Sequence, residues 1–404
     1  MADRAAEGGA TYRYFDYAAT APLCAEAAEA MAAYMVPGPE NLRANGNANS
    51  LYSLGRDAFA AMEDARRSLA RSLGARRPDE VIFTSGATEA DDAALLGLAQ
   101  AAVARARRAG KPYATPTVIT SAVEHEAVLQ PCKRLEAQGF SVVHSPVDKQ
   151  GFVRADSLRA ALSDQVVLVS VQMANSEVGS IQPIKELAAL THDAGALFHT
   201  DAVQALGKTK VDLQDLGVDA ASFSAHKVGG PKGIGALYLK ARTPFEPLLL
   251  GGGQEAGKRS GTQNVCGMAG FAAACKASVD SQEQEQARLG SLRDCLYEQL
   301  SGIKGVVPTV SVAPGCRKFL PNIVHVTVRD MESETLILRM DKLGFGVSGG
   351  SACASHSLDP SHVLTAMGVP SDRARGALRL SMGRYTTEED VSALTDALRQ
   401  ALSW

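Results

Sequence analysis

The chain has 404 residues, 46% of them hydrophobic and 21% charged, which is too long for one ordinary core and too apolar for a disordered or fibrous protein. A formal net charge of −3 gives no reason to expect nucleic acid or an anionic membrane as a direct partner. The opening MADRAAEGGATYRYFDY has no apolar core of signal-peptide type, and no apolar run approaches the ~20 residues of a membrane span.

Seven cysteines occur, at 24, 132, 266, 275, 295, 316 and 353. The count is odd, the spacings are wide and there is no CxxC, so neither a disulfide framework nor a metal site is expected. A reducing, cytoplasmic setting is expected, where a free thiol stays free.

Along the chain, short β-branched runs appear at Val81–Phe83, Thr117–Thr120, Ser141–Val143, Val166–Val171, Leu197–His199, Ala220–Phe223 and Gly235–Leu239. Helical stretches such as Glu89–Ala101 and Ile184–His192 lie between most of them. Strands separated by helices predict a mainly parallel sheet covered on both faces, with its ligand site at the carboxyl ends of the strands. The sheet pattern stops near Gly251–Gly253. A helical run over Val265–Leu300 follows, then Asn322–Val328, Glu334–Leu343, a cysteine-bearing loop, Arg379–Ser381 and a terminal helix. These predict a smaller α+β domain.

The strand ends carry the chemistry. After the first run comes TSGATEADD, where small residues lead into a helix. The backbone N–H groups of such a turn, around Ala87, with the Thr88 hydroxyl, can cradle an anion. A plain helix cap reads equally well, and the acidic residues there oppose an anion unless they point away. Later strand ends bring His125, Asn175, Asp201 and Gln204. Each alone reads as a capped turn or a satisfied side chain, but together they place an imidazole, two amides and a carboxylate at one sheet edge. After Ala220–Phe223 comes SAHKVGGPKGIG, with Lys227 flanked by Ser224 and His226. A lysine in a partly dry pocket can lose its proton and become an amine nucleophile. A carboxylate, a lysine, an imidazole and an anion cradle are what pyridoxal 5'-phosphate requires. In VSGGSACASHSLDP, Cys353 sits among small residues, which suits either a small loop-filling side chain or a thiol held within reach of a reactant.

These motifs resemble the cysteine desulfurases, within the fold type I, class V aminotransferase group of pyridoxal-phosphate enzymes. The resemblance runs in order through FDYAATAP (15–22), GNANSLYSLGR (46–56), FTSGATEAD (83–91), VEHEAVL (123–129), ANSEVG (174–179), HTDAVQALGK (199–208), SFSAHKVGGPKGIG (222–235), GGGQEAGKRSGTQN (251–264), GGSACASHSLDPSHVL (349–364) and LRLSMGR (378–384). It implies a large domain over 29–264 with a seven-stranded, mainly parallel sheet. A small α+β domain would comprise 1–28 and 265–404.

Residue by residue, the resemblance makes Lys227 the Schiff-base lysine, Asp201 the partner of the pyridine nitrogen and His125 the imidazole stacked on the ring. Gln204 and Asn175 become the amides near the phenolate oxygen, with Asn175 also meeting the substrate carboxylate. Ala87, Thr88, Ser224 and His226 belong to the phosphate site. Thr262 becomes a phosphate ligand lent by the neighbouring subunit, which implies a homodimer. Arg379 pairs the carboxylate of L-cysteine, and Cys353 is the catalytic cysteine of a long loop. The long-loop branch delivers sulfur to iron–sulfur scaffold or other acceptor proteins, including those of tRNA thiolation. A selenocysteine lyase, another class V enzyme or a catalytically silent scaffold partner are the alternatives.

The chain departs from the family at Asp92, where Asn is common, and around Cys353, where SGGSACAS replaces SSGSACTS. Asp92 would add charge near the cradle. His356 could lower the Cys353 pKa or simply be solvated.

Overall fold

Each expected β-branched run folds as a strand, within two residues at either end. The computed structural model describes residues 12–39, 42, 45–350 and 360–403. Its strands are β1 (Arg13–Tyr14), β2 (Val81–Thr84), β3 (Thr117–Ser121), β4 (Ser141–Ser145), β5 (Val166–Ser170) and β6 (Leu197–Asp201). After these come β7 (Ala220–Ser224), β8 (Gly235–Leu239), β9 (Val306–Pro308), β10 (Ile323–Val328), β11 (Phe345–Gly346) and β12 (Ala377–Ser381).

Seven strands form one sheet in the order β2-β8-β7-β6-β5-β3-β4. Every neighbouring pair is parallel except those made by β8, which is antiparallel to β2 and β7. Alternate side chains enter opposite layers. Val81 and Phe83 share a core with Leu69, Leu187 and Phe271, whereas Ile82 between them joins Leu95, Leu98 and Leu135. Helices Ser53–Ser72, Ile184–Asp193 and Val265–Asp280 therefore cover one face, and Ala87–Arg108 and Glu126–Ala137 the other. The sheet is buried on both sides, as a mainly parallel α/β sheet must be.

The smaller sheet is antiparallel, in the order β12-β10-β9. Its core joins Phe15, Leu296, Val326, Leu380 and Leu398. β1 pairs in parallel with β11, so the N-terminal strand belongs with this layer before the chain crosses to the large sheet.

The helical run expected over Val265–Leu300 breaks at Ser281 into Val265–Asp280 and Gln282–Ser301. Met268, Phe271 and Cys275 pack into the large core, whereas Leu289, Leu292 and Leu296 pack into the small one. The two cores thus divide one helix later than the expected boundary at 264/265. Helix Ala25–Ala32 packs on Val265–Asp280, with Ala27 and Ala274 in one cluster, so it too lies with the large layer. Among the described residues no helix is long and apolar enough to cross a membrane.

Candidate active site

A cleft of about 450 Å³ opens at the carboxyl ends of β6 and β7. Lys227 reaches it from the turn after β7, and its Nζ donates to the carbonyl oxygens of Ala18 (2.6 Å) and Ala19 (2.9 Å). Gln204 lines the same cleft and donates through Nε2 to Ala18 O at 2.9 Å, while its buried Oε1 has no partner among the described residues. The FDYAATAP segment, arriving from β1, therefore forms one wall.

Asp201 ends β6, and its Oδ1 accepts the Val203 N–H at 2.9 Å. Burial pushes its pKa up, against the pull of that N–H and of His125 and Lys227. His125 caps helix Glu126–Ala137, its Nδ1 accepting the Ala127 N–H at 3.1 Å, so the neutral ring carries its proton on Nε2. Burial lowers the His125 pKa; Asp201 raises it and Lys227 lowers it further.

The anion cradle is the start of helix Ala87–Arg108. Gly86 stands at its N-cap with no side chain capping it, and a Cβ placed there would meet nothing within 4 Å. The acidic objection is answered at Glu89, which turns to Arg259 (Nε at 2.8 Å, Nη2 at 3.2 Å) and accepts the Ser85 N–H. Asp92 does not line the cleft; it is half-buried, and burial raises its pKa against the pull of Arg134. Ala87, Thr88, Ser224 and His226 all line this end. Burial, then the charge of Lys227, hold His226 near a pKa of about 4, and its Nδ1 lies 3.2 Å from the Thr20 hydroxyl. An open helix N-terminus for a phosphate, a carboxylate for a pyridine nitrogen, a lysine and an orphaned buried amide oxygen fit pyridoxal 5'-phosphate.

Arg379 projects from β12 and is almost fully buried. Its Nη1 donates to Ser176 O at 2.9 Å and its Nη2 to Asp16 Oδ1 at 2.7 Å, while Nε has no partner among the described residues. Backbone hydrogen bonds tie Arg379 to Ser348, which brings the start of the cysteine-bearing segment beside the cleft. Cys353 and His356 lie outside the described residues. On either side of the segment, Ser361 Oγ donates to Glu177 Oε2 at 2.6 Å, and a Cβ on Gly350 would come within 3.2 Å of the same oxygen.

One expected residue is placed differently. The Asn175 amide is committed to its own loop: Oδ1 accepts the Glu177 and Val178 N–H groups at 2.9 Å each, and Nδ2 donates to Val123 O at 3.2 Å. Thr262, expected to serve the neighbouring subunit's site, is exposed and does not line the cleft of its own chain. Sequence reasoning gave no role to Lys232 or Asp91, which also line the cleft. Lys232 lies within SFSAHKVGGPKGIG, a signal that was available. Asp91 read only as a helix-start acid.

The aminotransferase class-V family model matches residues 13–394. The chain is similar to cysteine desulfurase IscS of Dictyoglomus turgidum, 41% identical over 389 residues, spanning 96% of this chain and 94% of the relative. A solved structure described as a NifS-like protein superposes with a TM-score of 0.86 at 34% identity, covering 97% of this chain and 100% of the other. Another, SspA in complex with cysteine, gives 0.76 at 30% identity, covering 93% and 100% respectively.

Proposed function

Because the chain belongs to the aminotransferase class-V family, we propose that it is a pyridoxal-phosphate-dependent cysteine desulfurase that converts L-cysteine to L-alanine and leaves the sulfur as a persulfide on Cys353. The observation that carries this is Lys227 held in one cleft with Asp201 and His125, with Arg379 at its wall.

The bound cofactor supplies the electron sink that weakens bonds at the substrate Cα. Thr88, Ser224 and His226, with the helix N-terminus, hold its phosphate, and Asp201 keeps a proton on its ring nitrogen. Arg379 takes the substrate carboxylate in its planar fork. The Lys227 amine accepts the Cα proton, and His125 moves protons through Nε2. The Cys353 thiolate attacks the substrate sulfur. The carbon–sulfur bond breaks with its electron pair going to Cβ, which takes up one proton, Cα regains the proton held by Lys227, and alanine leaves. Asn175 acts by shaping the loop beside the cleft.

The persulfide then passes to an acceptor protein for iron–sulfur cluster assembly or tRNA thiolation. The working unit is a homodimer in a cytoplasmic setting. Leu51 and Leu250 are 90% and 83% exposed. Asn49 is tied to Gln263 at 2.8 Å and Ser260 N to Leu249 O at 3.2 Å, so this apolar surface adjoins Thr262. A second copy covering it would receive Thr262 at its own phosphate site.

Incubation with L-cysteine and a reductant tests the reading. Alanine and sulfide should form in equal amounts, and sulfide without alanine would refute it.

A further inference from the structure

His199 and Asp201 stand two positions apart on β6, so their side chains leave the same face of the sheet. Ser222 on β7 is the register partner of Asp201 and shares that face. Helix Ala87–Arg108 covers it and brings Asp91 down to it, with Oδ1 3.6 Å from His199 Nε2. Asp91 and Asp201 both line the cleft.

The two carboxyls are not equally provided for. Asp91 is 1% exposed and, among the described residues, neither of its oxygens has a hydrogen-bond partner. The imidazole beside it is already engaged, with Nδ1 2.9 Å from the Ser170 hydroxyl and Nε2 3.0 Å from the Ser222 hydroxyl. Asp201 has the Val203 N–H and the attraction of His125 and Lys227. Two buried carboxyls lining one cleft cannot both ionise cheaply, and the proton goes to the one with less compensation.

We propose that Asp91 is the proton-bearing member of a coupled carboxyl pair with Asp201, a positioning residue that leaves Asp201 as the one charge presented to the cofactor nitrogen. The purpose assigned to the pair rests on the function proposed above. The surrounding groups favour this distribution. Burial first, then the charges of Asp201 from β6, Glu124 from the turn after β3 and Asp92 from the same helix, push Asp91 well above the usual carboxylate range. The Ser222 hydroxyl pulls the other way without reaching hydrogen-bond geometry, and His199 is itself held neutral by burial, with a pKa of about 3.

The test is infrared spectroscopy of the full chain as purified, with and without ¹³C in its aspartate carboxyl groups. At pH 8 the label should shift a protonated-carboxyl stretch. Asp91→Asn should abolish that band and Asp92→Asn should leave it in place. By reciprocity, Asp201→Asn should lower the pH at which the band titrates by about one unit or more. Absence of the band from the wild type at pH 8, or its survival in Asp91→Asn, would overturn the proposal. If Asp91→Asn does not fold, an unmoved titration in Asp201→Asn overturns it instead. The band reads only the pair, so it stands or falls independently of alanine formation from L-cysteine.

Discussion

The Nζ of Lys227 lies 2.6 Å from the carbonyl oxygen of Ala18, in a segment that enters from the other domain's edge. The same carbonyl takes the Gln204 amide at 2.9 Å. A backbone group from the N-terminal segment thus registers the lysine beside Asp201. The segment is no mere tether between layers.

Lys227→Ala should therefore leave a folded protein that no longer shows the visible absorbance of lysine-linked cofactor. Borohydride treatment of the wild type and peptide mapping should place the reduced adduct on Lys227. An adduct on Lys208 or Lys232 would move the role to that residue.

Asp201→Asn should retain cofactor, because the phosphate cradle is untouched, yet lower kcat by about 100-fold or more, the scale of losing one preorganised charge. Steady-state kinetics at saturating cofactor measures this. Near-normal turnover would mean that Asp201 is not the ring partner.

Arg379→Lys should raise KM for L-cysteine by roughly 10- to 100-fold, since an ammonium cannot reproduce a two-pronged contact worth a few kcal/mol. Cofactor absorbance should stay as in the wild type. A KM unchanged within error would place the substrate carboxylate elsewhere.

Stability should fall in acid through a buried histidine that does not itself line the cleft. Burial, then the nearby Arg379 charge, hold His325 at a pKa of about 3, and its Nδ1 lies 2.7 Å from the Thr309 hydroxyl. The unfolded chain takes up the proton near pH 6.5 while the native state resists, so this stabilisation is present above ~6.5 and lost as pH falls towards ~3. Fully expressed, it is of the order of a few kcal/mol. Urea titrations across that window should show a shallower pH slope in His325→Gln, and an identical slope would show that His325 is not the cause.

What the sequence made legible follows from where chemistry sits in such a sheet. Lys227, Asp201 and His125 follow strand ends directly, so a strand pattern alone points to them. Asn175 was equally visible as an amide at a strand end, but its hydrogen bonds close its own loop, which no spacing reveals. Glu89 and Asp91 look alike as helix-start acids. Only the fold turns one outward to Arg259 and the other down against His199. The break at Ser281 was hidden because the residues on both sides are helix formers, and what changes is the layer each helix packs on.

The central claim is that sulfur from L-cysteine comes to rest on Cys353. Wild-type protein treated with L-cysteine, alkylated and digested should carry the mass of one added sulfur on the peptide containing Cys353. Cys353→Ser should bind cofactor normally and carry none. An added sulfur on another cysteine, or Cys353→Ser releasing sulfide at the wild-type rate, would contradict the account.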